Sequence, residues 1–289
     1  MSEKSILDKF DQIKPWKRGH ERAPHKPLLI LYAIGEYLNG KKEISFYEAN
    51  PKLKKLILEF GPQRKIIKTE YPFVRLSNDS VWELNQPLPT NEDYSKSLLK
   101  EKNVAGKFTE IILEEFEQNP KVISAIVDLL LDKNFPISIH QDILMSVGID
   151  LQTSVIPKKR DSKFRDKILK AYEYQCAVCG YNIRLGNTLI GLEAAHIKWH
   201  THGGPDVEDN GIALCTMHHK LFDRGAFTLN DDYTFLVSDI AHGTHGFQEW
   251  LWNFHGQMIR KPQRNEYYAA PGNISWHVNE VFKGEYRSK

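Results

Sequence analysis

Two short metal-type pairs constrain this chain more than any other feature. Cys176-Ala-Val-Cys179 is followed by Gly180, and Cys215-Thr-Met-His218 repeats the same spacing downstream. The chain has three cysteines and all of them fall in these pairs. An odd count argues against a disulfide framework. Three thiolates and one imidazole make a closed tetrahedral set that suits structural zinc, so Cys176, Cys179, Cys215 and His218 are expected to hold Zn²⁺. Gly180 lets the backbone turn around the ion. A lone C-x-x-C would fit a redox pair or two buried thiols equally well, but the matching second pair weakens those readings. The segment between the pairs is loop-rich, so the ion would contribute folding energy.

The remaining composition sets limits. The 289 residues are enough for two domains. Hydrophobic residues at 41% and charged residues at 26% describe an ordinary globular chain. Charges interrupt every apolar run in "MSEKSILDKFDQIKPWK", so no signal peptide is expected there. No apolar stretch approaches membrane-span length, so a cytoplasmic protein without a membrane partner is expected. The formal net charge is only +2, but it is unevenly spread. Residues 158–170 carry seven Lys or Arg against two Asp, and residues 14–26 carry five against one Glu. Such patches suit a protein that touches a polyanion at chosen places, although solvated helix faces leave the same pattern.

Pattern along the chain predicts its elements. "KPLLILYAIGEYLNG" (26–40) reads as a buried helix with Pro27 in its first turn and Asn39-Gly40 at its end. "YPFVRLSNDSVWEL" (71–84) reads as a β-hairpin about an Asn-Asp-Ser turn. Residues 106–120 and 121–134 read as helices, and roughly 135–160 as a connector. A helix opens the second half, and residues 247–259 look helical. The expected division is 1–150 and 151–289.

Between the two metal pairs lies "LEAAHIKWHTHGGPDVEDNGIALC". A short apolar strand delivers His196, a Gly-rich turn follows, and Asn210 and His219 come after it. Interleaved with the cysteine pairs, these residues resemble the HNH nuclease motif on its ββα-metal scaffold. The resemblance covers roughly 165–235. It implies that His196 is the general base, a task that suits an imidazole of pKa near 6.5. It implies that His219 holds a divalent cation (Mg²⁺, Mn²⁺, Co²⁺ or Ni²⁺). Asn210 would fix the loop and orient His196, or complete the metal shell. In the family the residue before the base is often a metal-binding Asp or His, but here it is Ala195. Glu193 and Asp223 are candidates for the missing ligand, with a weaker case for His200 and His202.

Something ahead of such a module must choose the DNA. "RAPHKPLLIL" and "FGPQRKIIKTEYPFVRLSNDSVWEL" cluster cations and aromatics. With "AGKF" (105–108), these segments resemble the sulfur-binding domain of phosphorothioate-dependent restriction endonucleases, over roughly 15–117. Sulfur is larger and a poorer hydrogen-bond acceptor than the oxygen it replaces, so a site for it calls for an apolar cup with cations close by. Tyr71, Pro72 and Phe73 are the expected cup; His25, Lys26, Arg64, Arg75 and Lys107 are the expected DNA contacts. A small residue can stand in the family where Arg75 is, and Lys102 or Lys107 is the nearest match to a later pocket arginine.

The expected fold is therefore α+β: an N-terminal mixed helical and β-hairpin DNA reader, then a zinc-stapled ββα-metal nuclease. The expected function is a type IV-like restriction endonuclease that binds double-stranded phosphorothioated DNA. By the same resemblance it leaves 5′-phosphate and 3′-hydroxyl ends, and cutting both strands favours a homodimer. Two alternatives remain at this level. One is an HNH enzyme reading a modified cytosine or an unmodified sequence. The other is a catalytically silent DNA-binding protein.

Overall fold

A computed structural model describes residues 3–13, 23–89, 92–149 and 162–288. The expected boundary near 150, residues 14–22 of the first basic run and residues 158–161 of the second lie outside these residues. The chain separates into two compact units, Met1–Val155 and Ile156–Lys289. Both mix helices with small antiparallel sheets, an α+β architecture.

The first unit runs α1 (Glu3–Asp11), α2 (His25–Leu38), β1 (Glu43–Ser45), α3 (Phe46–Phe60), α4 (Glu70–Arg75), β2 (Trp82–Leu84), α5 (Lys96–Glu101), β3 (Ala105–Phe108), α6 (Glu110–Gln118), α7 (Lys121–Asn134) and α8 (His140–Val147). Helix α2 is buried continuously from Pro27 to Gly35, as an all-round apolar helix must be. It packs against α3, α4, α7 and α8. Ser45 and Glu48 form a reciprocal capping box that starts α3.

The predicted hairpin at 71–84 is not formed. Residues 70–75 are helical, a 3₁₀ turn follows at Leu76–Asp79, and only Trp82–Leu84 is a strand. That strand pairs with β3, whose other edge takes β1, giving the order β1-β3-β2. Pro72 sits in the first turn of α4, a position proline occupies as readily as a strand start. Residues 106–108, expected to begin a helix, form the middle strand instead, and α6 starts at Glu110. Gly106 explains why: a Cβ there would stand 2.4 Å from the Trp82 ring. The indole lies over that bare backbone and meets Phe73 and Phe108 edge-on. The predicted connector also contains structure, because α8 buries Ile143 and Leu144 and packs on α2.

The second unit runs α9 (Ser162–Ala171), β4 (Arg184–Leu185), β5 (Thr188–Leu189), β6 (Leu192–His196), β7 (Gly211–Cys215), α10 (Thr216–Asp223), β8 (Phe227–Leu229), β9 (Phe235–Val237), α11 (Phe247–Trp250) and α12 (Pro271–Glu280). Strands β6 and β7 pair antiparallel, from Leu192 opposite Cys215 to His196 opposite Gly211. Helix α10 follows β7 directly and packs on both strands, which gives the ββα layer. Helix α9 closes the other side through Phe164 and Ile168. The predicted helix at 247–259 shortens to α11 and a 3₁₀ turn, after which Met258 bridges to Thr234.

Candidate active site and DNA-reading residues

The β6–β7 pairing brings the two halves of the cysteine motif together. Cys215 ends β7 and His218 lies in the first turn of α10, opposite the turn that carries Cys176 and Cys179. The four ligand atoms all lie within 4.8 Å of one another. Cys215 Sγ is 3.2 Å and Cys176 Sγ 3.7 Å from His218 Nδ1, and the Cys179 and Cys215 sulfurs are 4.0 Å apart. Sulfurs bound to one tetrahedral ion at about 2.3 Å would be about 3.8 Å apart, so the spacing fits. His218 Nε2 donates to the Trp250 carbonyl at 2.9 Å, which leaves Nδ1 to face the sulfurs. Hydrogen bonding from Cys179 and then Cys215 pulls the Cys176 thiol far down, towards the thiolate that metal binding needs.

The other end of the same strand pair holds His196 and Asn210, while His219 of α10 lies over Glu193, nearer the cysteine end. His196 ends β6, half-buried, with the Phe164 ring of α9 stacked on it at 4.1 Å. Its Nε2 donates to Asp206 Oδ1 at 2.7 Å. Burial lowers its pKa below the ordinary histidine value, and it outweighs the opposing pull of Asp206. That direction favours the neutral imidazole that a base must be.

Asn210 is fully buried and commits its amide to the loop. Its oxygen accepts from Lys198 N at 2.9 Å, and its nitrogen donates to the Lys198 and Pro205 carbonyls at 2.9 and 3.0 Å. Of the two roles expected for Asn210, this geometry fits loop fixing; an amide turned to the backbone on every side is not aimed at a metal, so its place among the catalytic metal ligands is withdrawn. Gly204 is required beside it, because a Cβ there would stand 1.8 Å from the Lys198 oxygen.

His219 is almost fully buried between two carboxylates. Its Nδ1 lies 2.6 Å from Glu193 Oε2, and its Nε2 lies 3.1 Å from Asp223 Oδ2. Burial alone would lower its pKa, but Asp223 and Glu193 outweigh it and raise the value to about 9. Trp199 Nε1 donates to Asp223 Oδ1 at 3.1 Å and holds that carboxylate in the interior. Both carboxylates proposed for the place left by Ala195 thus converge on His219. The weaker candidates are directed elsewhere: His200 faces Asp206, and His202 sits against Trp199 and Trp276. Asp206, Phe164 and Trp199 were not among the sequence candidates. The signal for Asp206 was a carboxylate in the "HGGPD" turn after the base, but spacing alone does not say that the turn folds back.

In the first unit several of the expected DNA contacts meet groups of the protein itself. Phe73 cannot line an apolar cup, because it is fully buried between Phe46 and Trp82, with centroids 5.2 and 5.7 Å away. The reason is the helical turn: residues 72–74 face the core together, while Tyr71 and Arg75 share the outer face. The Arg75 guanidinium lies over the Tyr71 ring at 4.2 Å, and both groups bond Asp93 at 2.8 Å. Lys26 pairs with Asp79, and Lys107 pairs with Glu110 and, at 3.3 Å, with Glu83. His25 opens α2, where burial and then the nearby charge of Arg64 lower its pKa to about 4.

Comparison with known proteins follows the same division. The profile of the ScoMcrA-like DNA sulfur-binding domain matches residues 3–152, and that of an HNH endonuclease matches residues 176–230. No curated protein matches. Among solved structures, the sulfur-binding domain of ScoMcrA complexed with phosphorothioated DNA is 16% identical, covering 50% of this chain and 95% of that one, with a TM-score of 0.43. The modification-dependent restriction endonuclease TagI is 24% identical, covering 46% of this chain and 41% of that one, with a TM-score of 0.30. The type IV phosphorothioation-dependent restriction endonuclease ScoMcrA is 18% identical, covering 50% of this chain and 32% of that one, with a TM-score of 0.40. With more than half of its residues in the first match, this chain belongs to the ScoMcrA-like DNA sulfur-binding domain family and carries an HNH endonuclease domain behind it.

Proposed function

We propose that the protein cuts double-stranded DNA close to a backbone phosphorothioate, with the first unit choosing the site and the second hydrolysing the phosphodiester. The observation that carries the catalytic part is an imidazole at a strand end held by Asp206, on the strand whose Glu193 meets a histidine that Asp223 contacts from its other nitrogen. His196 takes the proton of the attacking water. The electron pair of that O–H bond becomes the new bond to phosphorus, and the strand leaves through its 3′ oxygen.

Glu193 and His219 are the residues that would hold the catalytic divalent cation, which would take the place of the proton between them. Two atoms on one cation at about 2.1 Å lie about 3.0 Å apart when adjacent in an octahedron, close to both contacts of His219. The choice between them follows from access. The Glu193 side chain is 36% exposed and that of Asp223 is 1% exposed, so a phosphate reaches the Glu193 side. Asp223 then lies behind His219 and fixes its ring, an arrangement common around metal-bound histidines. Glu193 and Ala195 project from the same strand face, so a ligand lost at the usual position is supplied one step earlier. Bound there, a divalent ion supplies charge stabilisation to the phosphoryl group and the leaving oxygen. The four-ligand cluster is proposed to hold Zn²⁺ structurally, and two copies of the chain to act on the two strands.

Cleavage of a phosphorothioated duplex by the full chain, with Mg²⁺, Mn²⁺, Co²⁺ and Ni²⁺ in turn, tests this reading. The wild type should leave 5′-phosphate and 3′-hydroxyl ends, and His196→Ala should cut at least about 10²-fold more slowly while binding DNA normally. Wild-type cleavage by His196→Ala would reject it.

A further inference from the structure

We propose that Asp206 is a positioning residue for the HNH base: it fixes His196 with its proton on Nε2 and its free lone pair on Nδ1. This inference rests on His196 acting as the base and goes beyond the motif that identified it. An ionised carboxylate can only accept, so the 2.7 Å contact with Asp206 Oδ1 requires a hydrogen on Nε2. The second ring nitrogen is then unprotonated and available for water. Phe164, stacked on the ring with only 10° between the planes, removes the remaining rotational freedom.

The loop around Asp206 is built to hold this contact. Asn210 donates to the carbonyl of Pro205, the residue immediately before Asp206, and clamps Lys198, two residues after His196. The Asn210 carbonyl accepts from Ile197 N at 3.0 Å, so the base and its carboxylate hang from one buried amide residue. The asparagine of the motif therefore acts on the base through Asp206. The charged and titratable groups around the imidazole are Asp206, His200 and Asp223, while Arg165 of the adjoining α9 turns to the Leu192 carbonyl. Asp206 is the one among these in hydrogen-bond contact with the ring.

In the reaction the water proton passes to His196 Nδ1, and the oxygen bonds to phosphorus as the bond to the 3′ oxygen breaks. The departing oxygen keeps the bonding pair and takes a proton from solvent. His196 becomes an imidazolium, and the Asp206 charge stabilises it where it forms. Replacing Asp206 by Asn removes that charge. The Asn amide can also donate to Nε2, which selects the tautomer with its proton on Nδ1 and no base facing the water.

The test combines single-turnover cleavage by full-length Asp206→Asn, Asp206→Ala and Asp206→Glu with ¹⁵N NMR of the wild-type histidines. Asp206→Asn should slow cleavage roughly 10- to 100-fold at saturating metal and DNA, with unchanged DNA affinity. Asp206→Ala should lose no more than Asp206→Asn, and Asp206→Glu should regain part of the rate. The acid limb of the rate profile should move to lower pH in Asp206→Ala, because the imidazolium is no longer stabilised. In the wild-type protein the His196 resonances should show the proton on Nε2, a readout that survives if the variants fail to fold. A His196 proton on Nδ1 would overturn the inference. So would wild-type rates in the Asp206 variants while His196→Ala is inactive, or losses that excess metal restores. An active His196→Ala would instead reject the parent reading of the base.

Discussion

The two units treat their charged side chains in opposite ways. In the nuclease unit, the groups singled out by their spacing converge: four side chains that could hold a metal ion sit together, and His219 meets both Glu193 and Asp223. In the reader unit, the cations expected to meet DNA are already paired with the protein's own carboxylates, Lys26 with Asp79, Arg75 with Asp93 and Lys107 with Glu83 and Glu110. A catalytic constellation must exist before its substrate arrives, because its value lies in preorganisation. A reading surface can exchange internal partners for phosphates on binding, since the more exposed pairs of Arg75 and Lys107 contribute little to stability. The nuclease unit should therefore respond to loss of its ion and its ligands, and the reader unit to loss of its apolar contacts.

The largest difference should come from the metal cluster. Structural zinc supplies about 10–16 kcal/mol of apparent binding energy in small domains. Chelation, or Cys215→Ser, should abolish the nuclease unit's unfolding transition in calorimetry and leave a separate transition for the reader unit. Metal analysis of the untreated protein should find about one zinc per chain. A zinc-free chain with both transitions intact would remove the contrast.

Within the reader unit, neighbouring residues of one motif should separate cleanly. Phe73→Ala should destabilise the fold by about 3–5 kcal/mol in denaturant titration, as removal of a fully buried aromatic does. Tyr71→Ala should leave the denaturation midpoint nearly unmoved. Equal midpoints for the two variants would mean that the face assignment of α4 is wrong.

The pH dependence sharpens the nuclease side. The burial-lowered pKa of His196 means that protonation removes the base only below the ordinary histidine value, despite the counter-pull of Asp206. Cleavage at saturating metal should thus be flat through neutral pH and fall about tenfold per unit only below about 6.5. An acid limb centred above neutrality would contradict the neutral base.

The smallest effect belongs to the exposed face. Tyr71→Ala should reduce the preference for sulfur over oxygen DNA by roughly fivefold, the worth of a few tens of Å² of apolar contact. Lys107→Ala should weaken both duplexes alike and lower the salt slope by about one. Competition binding with the full chain measures both, and a Tyr71→Ala variant that discriminates as well as wild type would move the cup elsewhere.

What the sequence made legible follows from the same contrast. The convergence of Cys176, Cys179, Cys215 and His218 could be read directly, because a set spaced to share one ion must come together whatever the chain does between its members. The placement of His196 at a strand end could be read from the apolar run before it, while the role proposed for it comes from the motif resemblance alone. Asp206 could not, since its contact depends on a loop closed by the Asn210 amide. Residues 71–84 were misread because Pro72, Phe73 and Val74 suit a strand start and a first helical turn equally. The burial of 72–74 against the Phe46 and Trp82 layer decides for the helix. Gly106 likewise has no local reason to lie in a strand; its role appears only when the Trp82 ring covers it.

The most direct measurement of the central claim is the cleavage rate of one duplex sequence with and without a single phosphorothioate, at saturating divalent metal. Because the reader unit is proposed to choose the site and the nuclease unit only to cut, the sulfur duplex should be cut at least about tenfold faster at limiting enzyme, and the advantage should persist at moderate salt while both rates fall. Equal rates for the two duplexes would contradict the account.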